Sequence, residues 1–367
     1  MNGKAVMLPG GKYRVVVRKQ GAAATTSSGI WVSVLSVVLA LLFSGMFIAI
    51  NGINPVSVFR TMAIGAFGSM NGISETLVKA IPLLLCGLGV SFAYRISIWN
   101  IGAEGQFVVG AIAATAVTMY LPGLPHWSYL PLMLIAGAVA GGIWGLMAAV
   151  PRTHFQVNEL ITSLMLNYIA LLLLNYVVFG PWKDPQGFNF PGTPVFEAWM
   201  QLATIGSGRL HIGLFLGLGA VLLYALIMSR MTWGYKLRLL GANPEAARQS
   251  GISVTKQIWL VMLISGGLAG VAGMAEVSGV SHRLMYAISP GYGYTAIIVA
   301  WLAKLNPWGL IVSSVLCGAV IVGGYSVQMI GLPSSMSLIL QGSILLFLIG
   351  GEQLRGYRLQ WLRTGGE

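Results

Sequence analysis

Charge is scarce in this sequence, and acidic residues are scarcer still. Only 8% of the 367 residues are charged, against about 25% in soluble domains, and nine are acidic. This scarcity excludes an ordinary soluble domain, and a hydrophobic content of 56% indicates a membrane protein. Asp184 is the single aspartate and the four histidines are scattered, so the sequence indicates neither a Ser-His-Asp triad nor a metal site.

Two further absences narrow the function. The phosphate-cradling pattern G-x-x-x-x-G-K-[ST] does not occur, so this chain has no nucleotide-hydrolysing loop of that kind and is predicted not to be an enzyme. The two cysteines, Cys86 and Cys317, both fall in apolar stretches. They are predicted to be small buried residues and not a disulfide or metal pair.

The chain does contain many apolar stretches of membrane-spanning length. They lie near 30–50, 76–95, 99–120, 130–150, 158–179, 210–229, 258–276, 308–326 and 334–351. A tenth, 291–305, is short for a full span and predicts a tilted or half-length helix. The predicted fold class is therefore an all-α polytopic membrane protein with about ten transmembrane helices.

The distribution of cations predicts the topology. With ten spans, 16 of the 21 Lys and Arg residues fall on one side, which the positive-inside rule identifies as the cytoplasm. We therefore expect a basic cytoplasmic N-terminal arm (1–29), a transmembrane domain (30–351) and a cytoplasmic C-terminal tail (352–367). The net charge of +12 follows from this topology and requires no nucleic acid partner.

Two segments suggest an internal duplication. NIGAEGQFVVGAIAA (100–114) and GYGYTAIIVAWLA (291–303) each begin with a glycine-rich turn and continue into an apolar helix. Repeated halves are common in transporters, and broken helices at corresponding positions tend to flank the transport pathway.

The most polar internal segment is RMTWGYKLRLLGANPEAARQSGISVTKQ (230–257), which lies between two apolar stretches. Asn243 is a good N-cap, Pro244 suits the first helical position, and Glu245 places a negative charge at the positive end of a helix. Gly251 is placed to end that helix. The pattern predicts a helix of about two turns at the membrane surface, either an interfacial helix or a docking helix for a partner.

Polar residues within or beside the spans are candidates for a translocation path, because intramembrane ionisable groups are often functional. The alternatives are helix caps and hydrogen bonds between helices, which are nearly as well supported. The candidates are Asn100, Glu104, Gln106, Asn158, Glu159 and Asn167.

Four segments carry a resemblance to a known family. NIGAEGQFVVGA (100–111), VNELITSLMLNYIA (157–170), LGANPEAARQSGI (240–252) and LNPWGLIVSSVLCGA (305–319) resemble permease subunits of ATP-binding-cassette (ABC) importers. The resemblance is to the branched-chain amino acid, ribose and nucleoside branch, closest to nucleoside systems that use basic-membrane-protein-type lipoproteins. It covers residues 30–350.

The resemblance implies a function and a set of partners. Such a permease forms the path for a small solute, which the resemblance implies is a nucleoside, in a bacterial cytoplasmic (inner) membrane. A separate ATPase, often two fused cassettes, binds ATP and Mg, and this chain holds no cofactor of its own. A second permease, giving a heterodimer, an extracytoplasmic substrate-binding protein or lipoprotein, and membrane lipid are the other implied partners.

The same resemblance assigns the coupling helix, which contacts the ATPase, to a set of nine residues. They are Gly241, Ala242, Asn243, Pro244, Glu245, Ala246, Ala247, Arg248 and Gly251. Two other functions stay open: a simple sugar importer of the ribose type, and an ion-coupled secondary carrier. The scarcity of buried carboxylates argues against the carrier.

Overall fold

The computed structural model describes residues 5–7, 13–19, 26–187, 190–206, 208–329, 331, 333, 335–355 and 357–363. Between residues 26 and 355 the regular elements are helical. The α-helices are α1 Thr26–Ile50, α2 Pro55–Phe67, α3 Met70–Arg95, α4 Ala103–Tyr120, α5 His126–His154, α6 Glu159–Phe179, α7 Gly213–Arg230, α8 Thr232–Ala242, α9 Pro244–Gln249, α10 Val254–Glu276, α11 Tyr292–Leu302, α12 Pro307–Gln328 and α13 Ser335–Arg355.

Short strands occur near both termini. They are β1 Ala5–Met7, β2 Tyr13–Lys19 and β3 Tyr357–Arg363, and they form one antiparallel sheet in the order β1-β2-β3. Valine and aromatic residues, which fit a pleated surface, are frequent in these segments. The arm and the tail therefore contain paired strands, while the remainder of the predicted arm and tail (1–4, 8–12, 20–25, 356 and 364–367) lies outside the described residues.

The chain divides into two compact units. The first comprises residues 1–59 and 333–367. Within it α1 packs on α13, where the Ser36 hydroxyl donates to the Phe347 carbonyl over 2.9 Å and the Phe43 and Phe347 rings meet edge to face. The second unit, residues 60–332, contains α3 to α12 and every candidate site residue. The arm, permease and tail division stays a prediction.

Close glycine contacts hold the centre of the second unit together. A Cβ atom on Gly270 of α10 would lie 2.0 Å from the Gly137 carbonyl oxygen of α5, and one on Gly110 of α4 would lie 2.2 Å from Gly270 Cα. Helix backbones can approach this closely only through residues without side chains. Packing through small residues therefore holds this seam together, and Cys86 and Cys317 are buried, as predicted.

Helices long and apolar enough to cross a membrane number six in the described residues, or seven if the bent pair of α1 and α2 is one span. The six are Met70–Arg95, His126–His154, Glu159–Phe179, Gly213–Arg230, Val254–Ser281 and Pro307–Gln328. The predicted short tenth stretch is confirmed as short, since α11 has 11 residues. The count of ten spans, the duplication and the cytoplasmic termini stay predictions.

The segment between α6 and α7 runs along an irregular end of α10. That end is a π-helical turn, Val277–Ser281, which follows Glu276 directly. The Ser278 hydroxyl donates to the Met200 carbonyl over 2.6 Å, and the Leu202 amide donates to the Ser278 carbonyl over 3.0 Å. Since π-helical turns occur frequently at functional sites, this end of α10 is a candidate for one.

Candidate functional site

The surface segment between α7 and α10 folds as its sequence predicts. The Asn243 side chain accepts hydrogen bonds from the Glu245 and Ala246 amides at 3.0 and 3.1 Å, and Pro244 occupies the first turn of α9. This helix has six residues, and Gly251 beyond its end adopts a positive φ of 77°. The local prediction of a capped helix of about two turns is confirmed.

Most of this helix is open to a partner. Glu245 and Arg248 have side chains that are 70% and 66% exposed, and their ion pair is long, at 3.7 Å. A surface pair of this kind adds little to stability. Ala247 is the buried residue of the helix. The two charged side chains are thus available for contacts outside the chain.

The part of the same segment that precedes α9 contacts the end of α3. A Cβ atom on Gly241 would lie 1.9 Å from the Arg95 carbonyl oxygen, so the backbones of α8 and α3 are in direct contact. The Arg95 guanidinium then donates to the Leu305 carbonyl over 2.7 Å and to the Tyr224 hydroxyl over 3.1 Å. Arg95 therefore connects the surface segment to α7 and to the turn between α11 and α12.

Two helix starts meet inside the second unit, and Glu104 lies between them. A Cβ atom on Gly293 of α11 would lie 2.1 Å from the Glu104 backbone nitrogen at the start of α4. The Glu104 carboxylate accepts a 2.7 Å hydrogen bond from the Gly293 amide, which places a negative charge at the positive end of α11. The sequence indicated both glycine-rich segments as a possible duplication, but it did not predict that they are in contact.

Three other predicted path residues surround the same helix start. Asn167 of α6 accepts from the Gly105 amide over 2.8 Å and donates to the Ile101 carbonyl over 2.9 Å. Asn100 and Gln106 exchange hydrogen bonds at 2.9 and 3.0 Å, and Asn100 also donates to Ser265 of α10 over 2.8 Å. The hydrogen bonds of these side chains therefore join α6 and α10 to the start of α4.

The remaining two predicted residues have other partners. Asn158 caps α6 by accepting from the Leu160 amide over 2.9 Å. Glu159 lies 3.2 Å from Arg152 at the end of α5, in a partly exposed ion pair. The structure thus brings Asn100, Glu104, Gln106 and Asn167 together and gives Asn158 and Glu159 a local capping and pairing role. That any of the six lines a path stays a prediction.

A second polar cluster was missed by the sequence reasoning. Lys79 of α3 lies 3.3 Å from Glu276 Oε1 and donates to the Tyr292 hydroxyl over 2.7 Å. Glu276 is 5% exposed and belongs to a membrane-spanning helix. The inference that carboxylates are scarce within the spans overlooked it, because Glu276 is the last residue of a predicted span and its partners are distant in sequence.

One turn before Lys79 on α3, a further pair was missed. The Arg209 guanidinium binds Glu75 with two hydrogen bonds, at 2.7 Å to Oε1 and 2.5 Å to Oε2. Hydrogen bonding to Glu75 raises the pKa of Arg209, which therefore stays charged. The available sequence signal was the spacing of Asn71, Glu75 and Lys79, four residues apart on one face of α3.

In the part of the chain that the structure describes, no group of three or more His, Cys, Asp or Glu side chains could hold a metal ion. What the arrangement offers is a helical membrane body, an exposed helix joined to its interior through Arg95, and polar clusters where helices are broken. This combination defines a polytopic membrane protein with an exposed helix on its surface.

Comparison with known proteins identifies the family. The profile of the branched-chain amino acid transport system permease component matches residues 72–349. The chain therefore belongs to this family of transport permeases, as the resemblance implied, and it is the transmembrane permease subunit of an ABC transport system.

Three relatives are similar over most of their length. The glucose ABC transporter permease protein TsgB13 of Haloferax volcanii is 34% identical over 89% of this chain and 88% of the relative. The guanosine ABC transporter permease protein NupP of Bacillus subtilis is 32% identical over 89% and 95%. The nucleoside ABC transporter permease protein NupB of Lactococcus lactis subsp. cremoris is 27% identical over 86% and 90%.

Proposed function

We propose that this chain forms part of the path for nucleoside import, driven by ATP hydrolysis in a separate subunit that docks on α9. The observation that supports docking is the capped, exposed helix α9, which follows directly on α8, where the Gly241 backbone contacts the end of α3. The names of the relatives NupP and NupB support guanosine and other nucleosides as the solute class.

The contacts around Arg95 suggest how docking would move the interior. A displacement of α9 by the ATPase would press on the contact between Gly241 and Arg95. Because the Arg95 side chain holds the Leu305 carbonyl and the Tyr224 hydroxyl, α3, α7 and the turn before α12 would shift together. Packed helices switch between discrete arrangements, so a small shift at the surface would become a rigid-body change.

The assembly is proposed on the same basis. A second permease pairs with this one as a heterodimer, the ATPase consists of two fused cassettes that bind ATP and Mg, and a binding lipoprotein delivers the solute on the outer side. The assembly resides in a bacterial inner membrane with both termini of this chain in the cytoplasm. The 16 cations on the inner side of the ten-span topology support this orientation.

A simple sugar is the second candidate solute. The relative TsgB13, named as a glucose permease, is 34% identical to this chain. Nucleosides and simple sugars share a ring that carries several hydroxyl groups, so one polar path could suit either class.

The experiment that tests the proposal is solute-stimulated ATP hydrolysis in lipid, with the neighbouring ATPase and binding protein present. The solutes are guanosine, adenosine, ribose, glucose and leucine. We expect a nucleoside to stimulate hydrolysis. If no solute stimulates and the ATPase does not co-purify with the permease, docking on α9 is wrong.

The glycines of the chain provide a matched pair of variants for the docking contact. Gly241→Ala places a Cβ atom 1.9 Å from the Arg95 carbonyl oxygen and should uncouple solute from hydrolysis. In Gly219→Ala the added Cβ meets nothing within 4 Å, so stimulation should be unchanged. Equal stimulation in both variants would exclude the Arg95 contact as the route of coupling.

A further inference from the structure

An open pocket lies at the start of α3. Its lining residues are Asn71, Ser74, Glu75, Gly208 and Arg209, and its volume is about 340 Å³. That volume falls within the range of small-molecule pockets, about 300–1,000 Å³. The Ser74 hydroxyl oxygen is buried and has no hydrogen-bond partner among the described residues. Since buried polar atoms are normally paired, this oxygen is available to a bound molecule.

The charges of the pocket continue down α3. Asn71, Glu75 and Lys79 follow one another at four-residue intervals, so they share a helix face. Lys79 reaches Glu276 and Tyr292, and the second carboxylate oxygen of Glu276 is buried and unpaired within the described part of the chain. A row of polar groups therefore leads from the open pocket into the helix bundle.

The chemistry of this row selects a class of solute. Two cations, Arg209 and Lys79, are matched by two carboxylates, Glu75 and Glu276, so the row has no net charge if all four are ionised. A balanced set gives no electrostatic gain to an anion such as a nucleotide. Alternating donors and acceptors suit the neighbouring hydroxyl groups of a sugar ring, which both donate and accept.

We propose that the pocket formed by Asn71, Ser74, Glu75 and Arg209 receives a neutral polyhydroxylated solute, with Lys79 and Glu276 as the next contacts inward. This inference rests on the proposed import function and assigns the permease its own solute-recognising residues. The hydroxyl groups would accept from Arg209, donate to Glu75 and pair with the Ser74 hydroxyl.

Cysteine labelling tests the site directly, because both native cysteines of the chain are buried. Asn71→Cys, at an exposed position of the pocket, would be treated with a hydrophilic thiol reagent in the assembled transporter, and labelling of this chain is followed by mass spectrometry. Guanosine or glucose should slow the labelling, whereas guanosine 5′-monophosphate should not. Glu197→Cys, in an exposed segment outside the pocket, should be labelled at the same rate with or without solute.

Three results would overturn the site. They are failure to label Asn71→Cys in a folded transporter, labelling that neither solute slows, and protection by the monophosphate equal to that by guanosine. Uptake by the unmodified transporter is measured in parallel. Uptake without protection would refute this site alone, and protection without uptake would refute the proposed function alone.

Transport by charge-removing variants gives a second test. Glu75→Gln and Arg209→Gln each remove one charged partner and should lower uptake about tenfold, the effect of losing one charge-assisted hydrogen bond. The matched controls Glu197→Gln and Arg60→Gln, at exposed positions outside the pocket, should retain uptake. The binding protein must still be captured at wild-type affinity by the two pocket variants.

Two outcomes of this second test would overturn the site. Loss of capture together with uptake would assign Glu75 and Arg209 to the binding protein surface. A fall in thermal stability that parallels the fall in uptake would make the pair a structural clamp, since removing one partner of a part-buried charge pair can also destabilise the fold.

Discussion

Single residues in this permease have roles that depend on their hydrogen-bond partners more than on their type. Asn243 and Asn306 have the same local pattern, since each is followed by proline and each accepts from two amides at the start of a helix. The first helix is the exposed α9 and the second is the membrane-spanning α12. The pair therefore separates the effect of losing a cap from the effect of losing a docking helix.

We predict that Asn243→Ala weakens association with the ATPase. Loss of a cap destabilises a helix by about 1 kcal/mol, and a helix of six residues has little else to hold it. Asn306→Ala should cost similar stability and leave association unchanged, as measured by co-purification of the ATPase. Retention of the ATPase by Asn243→Ala at the wild-type level would contradict the role of α9.

His211 gives a prediction about pH. It lies before α7 begins, and burial, with a smaller effect of His282, lowers its pKa from 6.5 to about 4. The unfolded chain therefore binds a proton between these two values that the folded chain does not. The free energy of unfolding should be constant above pH 6.5 and fall as the pH drops towards 4, by up to about 3 kcal/mol.

Thermal unfolding of the purified protein between pH 4.5 and 7.5 measures this effect. His211→Asn should remove part of the slope, while His126→Asn, at an exposed position stacked on Trp199, should keep it. If His211→Asn unfolds with the wild-type dependence on pH, another group is responsible.

At the scale of elements, contacts between helix backbones decide the packing. Glycines lie four residues apart in both α5 and α10, and the structure shows that these two helices pack on each other. The sequence could not state which helices would meet, because a small-residue face is compatible with any partner helix. For the same reason, the sequence could not predict that α4 and α11 meet at Glu104 and Gly293.

Gly270→Ala should destabilise the protein by about 1–3 kcal/mol or more, because the added Cβ would lie 2.0 Å from the Gly137 carbonyl oxygen. Gly342→Ala, where the added Cβ meets nothing within 4 Å, should not destabilise. The melting temperature of the two purified variants checks the difference. A stable Gly270→Ala variant would mean that α5 and α10 are not packed at this distance.

At the scale of the whole molecule, family membership predicts the energy source. The relatives NupP, NupB and TsgB13 are all named as ABC transporter permeases. Solute uptake by the reconstituted assembly should therefore stop when ATP is omitted and continue when an ionophore collapses the ion gradients. The reverse result would favour the ion-coupled carrier and assign a transport role to the buried pair of Lys79 and Glu276.

What the sequence determined by itself was local or compositional. Its hydropathy established a membrane protein, its Asn-Pro pattern placed the cap of α9, and its four segments 100–111, 157–170, 240–252 and 305–319 together indicated the family. Each of these depends on residues within a few turns of one another. Tertiary structure alone decided that Lys79 pairs with Glu276, 197 residues away, and that Arg209 binds Glu75. Such pairs depend on which helix faces meet, and no single helix encodes its neighbour.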